Sequence, residues 1–127
     1  MTDRRPDVTM SRALVGLALL PATLCAGAAD VDRGQAIYES RCEGCHSLDA
    51  NRIGPMHRGV VGRRAGTVPG YAYSDALRRT DVVWTEATLD RWLAGPEQFI
   101  RGQKMGYRVE AAQDRADVIA FLKRESK

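Results

Sequence analysis

The chain has few of the residues from which most sites are built. Its 127 residues hold three cysteines, Cys25, Cys42 and Cys45, and two histidines, His46 and His57. A structural zinc site takes four ligands. Cys25 lies in a segment read below as a removable leader, so Cys42 and Cys45 find no second pair of soft ligands. Strand-like alternation is missing, which argues against a sheet and against the βαβ setting of a thioredoxin-like CxxC. Internal repeats, low-complexity tracts and linkers are missing too, so one domain follows the leader. Charge of one sign is not in large excess, with 19 Lys and Arg against 16 Asp and Glu. Without Arg4, Arg5, Arg12, Asp3 and Asp7, the part from Asp30 onward keeps 16 basic and 14 acidic residues. A net charge of +2 does not suggest nucleic-acid binding, which wants a strongly basic face.

The first 28 residues read as a signal peptide. Arg4, Arg5 and Arg12 make a basic start, residues 13–20 are apolar, and Ala26-Gly27-Ala28 offers small residues for cleavage after Ala28 or Ala29. The apolar run is too short to span a bilayer comfortably. Leu24 is bulky where a lipoprotein signal has a small residue before its cysteine, so Cys25 is not read as a lipid anchor. The domain is expected over residues 29–127, in the periplasm, with tethering by an uncleaved leader the less favoured arrangement.

What the chain does have is Cys42-Glu43-Gly44-Cys45-His46. Two cysteines three positions apart, followed by histidine, form the attachment signature of a c-type haem. A helical turn brings both thiols to the same edge of the porphyrin, where each adds across a vinyl group. His46 then lies under the iron and offers its imidazole.

The pattern around the motif is helical. A helix is expected over residues 30–41, with Val31, Gly34, Ile37, Tyr38 and Arg41 on one face. Glycine in mid-helix costs about 1 kcal/mol against alanine, so Gly34 signals a close helix crossing. Residues 47–73 are loop, rich in turn formers such as Gly54-Pro55 and Pro69-Gly70. A short helix follows at 74–79, capped by Ser74 or Asp75. Thr85 caps a helix over 86–94 that carries a Leu89, Trp92 and Leu93 stripe. Gly95-Pro96 ends it and permits a short turn through Ile100. A last helix spans 112–124, with Val118, Phe121 and Leu122 on its apolar face. The expected fold is all-α, with three main helices, shorter ones and long loops wrapped around the cofactor.

A haem iron held by His46 needs a second axial ligand. Met105 is the leading candidate, in the glycine-flanked loop Gly102-Gln103-Lys104-Met105-Gly106. Met56 and His57 are the rivals, but they follow closely after His46 and are expected to stay on its side. His57 is read as a hydrogen-bonded structural histidine.

Taken in order, the motif, Ile53-Gly54-Pro55, Gly62-Arg63-Arg64, the stretch from Pro69 through Ser74, Trp84, Leu89 with Trp92-Leu93, Gly95-Pro96 and Gly102-Gln103-Lys104-Met105 resemble a class I cytochrome c of the mitochondrial-like bacterial kind. The resemblance covers nearly everything after the leader and implies the small monohaem cytochrome c fold. It implies that the Pro55 carbonyl accepts a hydrogen bond from His46, and that Arg63, Tyr73 and Trp84 surround the inner propionate. It places Ser74 and Gln103 near the outer propionate, and Tyr71, Leu93, Ile100 and Tyr107 in the pocket wall. Gly34 and Tyr38 would pack against Val118 and Phe121. The chain departs from the pattern at Arg101, where the ligand loop usually has proline, at Gln103, often threonine, at His57, often apolar, and at Leu77, polar in some relatives.

With His46 and Met105 filling both axial positions, the expected function is a soluble periplasmic one-electron carrier, monomeric and not an enzyme. Its single haem c is bound through two thioethers. Its partners would be redox proteins such as a quinol–cytochrome complex, a terminal oxidase or a dehydrogenase, and Arg58, Arg64, Arg101, Lys104 and Arg108 would either steer an acidic partner or stand as ordinary solvated side chains. Two alternatives need a labile or open sixth site: a small haem peroxidase or oxidoreductase module, and a gas-binding haem sensor. Nothing in the chain resembles the distal acid–base pair of a peroxidase.

Overall fold

The computed structural model describes residue 2 and residues 27–127. The expected leader, with its apolar run and Cys25, lies almost wholly outside the described residues. Asp30 starts α1 (Val31–Arg41), its carboxylate accepting the amides of Asp32 and Arg33 at 3.0 Å each. Ser74 caps α2 (Asp75–Arg79) through the Leu77 amide. Thr85 and Thr88 form a reciprocal box at the start of α3 (Glu86–Ala94). Pro96, whose missing N–H is no loss in a first turn, opens α4 (Pro96–Phe99). The chain ends in α5 (Ala112–Arg124).

The described residues contain no strand. One antiparallel bridge, Arg64 with Val83, ties the loop before α2 to the segment before α3. The Gly62 amide reaches the Trp84 carbonyl at 2.7 Å, and the Trp84 amide reaches the Arg63 carbonyl at 2.9 Å. These bonds fix Arg63 and Trp84 beside each other, although the loops that carry them have no period that would pair them.

The core is built where α1 and α3 each pack against α5. Ile37 and Tyr38, Leu89, and Val118, Ile119, Phe121 and Leu122 are its buried members from those helices. The α1–α5 crossing turns on Gly34. A Cβ there would lie 2.0 Å from the Asp117 carbonyl oxygen and 3.1 Å from the Phe121 Cβ. The Tyr38 and Phe121 rings pack at 5.1 Å.

A polar cluster locks the same crossing. Asp117 is 0% exposed. It accepts the Asp30 amide at 2.8 Å, Gln113 Nε2 at 2.9 Å and the Arg33 guanidinium. Asp114 takes Arg33 and, at 2.8 Å, Arg41. A buried carboxylate is tolerated only when its oxygens are satisfied in this way.

Candidate cofactor site

The end of α1 shapes one wall of a cavity of about 490 Å³, a size typical of small-molecule and cofactor sites. The chain continues past α1 for one turn. The Cys42 amide bonds to the Tyr38 carbonyl at 2.8 Å, and the Cys45 and His46 amides bond to the Cys42 carbonyl at 3.1 and 2.9 Å. That turn sets Cys42, Cys45 and His46 together along the cavity. The two thiols form no disulfide among the described residues, and burial pushes the Cys42 thiol up to about 11.

The His46 imidazole is held from its far nitrogen. Its Nδ1 lies 2.8 Å from the Pro55 carbonyl oxygen, which can only accept. Nδ1 therefore carries the proton and Nε2 keeps its lone pair. Burial lowers the pKa of His46, and the Pro55 bond partly restores it. Gly54 permits this placement, because a Cβ there would stand 2.1 Å from His46 Cε1. The Gly54 amide also bonds the Cys45 carbonyl at 2.8 Å.

Met105 reaches the same cavity from the loop after α4, with Lys104, Gly106 and Tyr107. Glu97 anchors that loop by accepting the Gly102 amide at 3.2 Å. The Gln103 carboxamide oxygen accepts the Met105 amide.

A third group lines the cavity from the long loops: Arg63, Tyr73, Ser74 and Trp84. The Arg63 guanidinium donates to the Met56 and Arg58 carbonyls at 2.9 and 3.0 Å. Among the described residues no carboxylate pairs with it. Burial lowers its pKa. A half-buried guanidinium without an acidic partner suits an anionic group held in the cavity.

The donor set as a whole fits haem. It has two thiols beside an imidazole with a free nitrogen, a thioether, a cation with hydroxyl neighbours, and walls such as Leu77, Leu89, Leu93 and Trp92.

The cytochrome c family model matches residues 31–125. The chain belongs to the cytochrome c family. Cytochrome c of Euglena viridis is 42% identical over 97 residues, which span 74% of this chain and 95% of that protein. Cytochrome c2 of Rhodomicrobium vannielii is 40% identical over 114 residues, 87% of this chain and 90% of that one. Among solved structures, cytochrome cH from Methylobacterium extorquens superposes with a TM-score of 0.72 at 37% identity, over 76% of this chain and 99% of that one. The protein is thus a class I c-type cytochrome with the small all-α fold, a haem-based electron carrier. Family members bind one haem c covalently through Cys-x-x-Cys, and Cys42 and Cys45 are the pair in place here.

Of the ten residues singled out from the sequence, nine line the cavity: Cys42, Cys45, His46, Pro55, Arg63, Tyr73, Ser74, Trp84 and Met105. Gln103 does not. It borders a smaller recess beyond the Met105 loop, with Nε2 directed at Glu97. Tyr71, Leu93 and Tyr107 stand in the wall as expected from the resemblance, whereas Ile100 belongs to the core and does not reach the cavity. Arg58, Arg64 and Arg108 are engaged by Asp49 and Glu125, by Asp81 and by Glu110.

Sequence reasoning missed two contacts of His46. The first is the close approach of Gly54, whose only signal was the Gly54-Pro55 pair. The second is His57, whose ring stacks on His46 with centroids 4.0 Å apart and planes 20° apart. Burial, then the neighbouring His46 and Arg63, hold the pKa of His57 well below the usual histidine value.

Proposed function

We propose that this protein is a periplasmic one-electron carrier whose haem iron is ligated by His46 and Met105. The observation that carries the reading is the convergence of the His46 imidazole and the Met105 thioether, from distant parts of the chain, on one cavity that also receives Cys42 and Cys45. Bound haem supplies an iron that accepts and releases one electron. The chain's own residues set the conditions for it. Pro55 holds His46 in the tautomer that leaves Nε2 to the metal and makes it a better donor. The Met105 sulfur favours the reduced iron, and so does the apolar wall that excludes water. Arg63, with Tyr73 and Trp84, offers charge and hydrogen bonds to a propionate carboxylate.

Ile53, 76% exposed, and Tyr107, 44% exposed, also line the cavity, so its mouth opens at the surface beside an exposed Cys45. Electrons leave and enter there through small, weak and wet contacts with a partner. A quinol–cytochrome complex, a terminal oxidase or a dehydrogenase are the partner classes. The basic, apolar and small-residue sequence of the first 28 residues supports export.

The test is an absorbance spectrum of oxidised and reduced holoprotein extended into the near infrared. A sulfur-to-iron charge-transfer band, lost in Met105→Ala, is the expected result. A wild type without that band, and whose reduced form binds carbon monoxide readily, would overturn the ligand assignment in favour of a peroxidase-like or gas-sensing haem.

A further inference from the structure

His46 has a second imidazole against it, and that imidazole is itself held in place. Tyr38, on α1, is 1% exposed. Its hydroxyl lies 3.1 Å from His57 Nδ1, the one partner it has among the described residues. Burial raises the pKa of Tyr38, so the phenol keeps its proton. A buried hydroxyl needs an acceptor, and Nδ1 is the only one in reach among the described residues. His57 is therefore fixed as the tautomer protonated at Nε2, on the ring that also borders the cavity. The backbone confirms the arrangement: the His57 amide bonds the Ser47 carbonyl at 3.0 Å and the Arg58 amide bonds the Leu48 carbonyl at 2.9 Å. The segment carrying Pro55 and His57 is thus strapped along the segment carrying His46. Pro55 fixes one ring nitrogen of His46, while His57 covers a ring face.

We propose that His57, locked by its hydrogen bond to Tyr38, is a positioning residue that sets the rotation of the His46 ring plane and thereby the electronic state of the iron it ligates. The inference rests on the assignment of His46 as a ligand. An aliphatic residue at 57 would fill the space without a preferred plane. A flat ring hydrogen-bonded at its far edge imposes one, because stacking ties the two planes together.

The experiment uses holoprotein: wild type, Tyr38→Phe, His57→Leu and the double variant. Each is measured by proton NMR of the oxidised form, by redox titration and by the near-infrared band. The paramagnetically shifted haem methyl resonances report the orientation of the axial imidazole plane. The expected result is a changed spread of these shifts in His57→Leu, a smaller change of the same sense in Tyr38→Phe, and a double variant indistinguishable from His57→Leu. The midpoint potential should follow the same ordering. A role confined to core packing would lower the melting temperature and leave the methyl pattern alone. An unchanged pattern in His57→Leu, or additive effects in the double variant, overturns the proposal while the persisting near-infrared band leaves the ligand assignment standing. If the band is missing from wild type, the ligand assignment falls first. Should His57→Leu fail to accumulate, Tyr38→Phe decides by itself, since it keeps the buried ring: an unchanged pattern there overturns the proposal.

Discussion

Gly34 of α1 rests on the Asp117 carbonyl of α5, so close that a Cβ would come within 2.0 Å of the oxygen. The helices cross at this distance because position 34 carries no side chain. Alanine in a helix interior is favoured over glycine by about 1 kcal/mol. Here that gain is outweighed, because the added methyl meets backbone and not a flexible side chain. Overpacking of this kind costs about 1–3 kcal/mol, occasionally more. Gly34→Ala is expected to lower the guanidinium midpoint of the holoprotein with little change in slope. A variant as stable as wild type would mean that α1 and α5 part without loss.

The same crossing predicts the response to acid. Arg41 and Arg33 hold the Asp114 carboxyl below its usual range. For Asp117, burial pulls upward, but the Asp30 amide, Gln113 and Arg33 outweigh it and the pKa is again lowered. Glu125 is lowered by Arg124 and Arg58. A carboxyl with a depressed folded-state pKa stabilises the fold fully above its unfolded value, about 3.9 for Asp. That stability is lost as pH falls through the folded-state value. The melting temperature should therefore hold at neutral pH and fall steeply below about pH 4. Asp114→Asn should melt lower at pH 7 and flatten the acid limb. Parallel limbs in the two proteins would remove Asp114 from the account.

Much of this was legible in the sequence because local chemistry decided it. Thr85 and the 112–124 periodicity placed α3 and α5 at their observed bounds, and Asp30 placed α1 to within one residue. Cys42, Cys45 and His46 are neighbours in the chain, so a single turn unites them. The illegible parts depend on where loops return. The pairing of Arg64 with Val83, the stacking of His57 on His46 and the turn of Gln103 away from the cavity carry no periodic signal. The burial of Asp114 and Asp117 beneath Arg33 and Arg41 was hidden for another reason. Acidic residues in the first turns of a helix ordinarily face water, and only the tertiary partner reveals otherwise.

Charge at the cavity mouth gives a kinetic prediction. Of the five cations expected there, Arg58, Arg64 and Arg108 are paired with carboxylates, while Arg101 and Lys104 have no such partner among the described residues. Lys104 also lines the cavity. Steering by unpaired charges raises association rates and fades with salt. Lys104→Gln should slow electron transfer to an acidic redox partner about two- to threefold at low ionic strength, converging with wild type at high salt. Arg64→Gln removes the same unit of charge but does not line the cavity, so it should slow the rate less. Equal effects of the two substitutions would show that only total charge matters.

The loop that carries Met105 offers a gain of function. Arg101 and Gly102 form its first turn, with Gly102 at φ +85°, and Ile100 before them is extended at φ −133° and ψ 94°. Proline followed by glycine at positive φ suits such a turn, and an extended residue is what proline requires before it. The Arg101 amide donates none of the hydrogen bonds among the described residues, so proline would remove none. Arg101→Pro should therefore stabilise the holoprotein by about 0.4–1 kcal/mol, by restricting the unfolded chain. The same restraint disfavours opening of the loop. Imidazole or cyanide added to the oxidised protein must displace Met105, and its apparent affinity should fall about two- to fivefold, the factor to which that free energy corresponds. Higher stability with unchanged ligand affinity would place the opening elsewhere than residues 101–102. Lower stability would show that the Arg101 backbone sits outside the range proline allows.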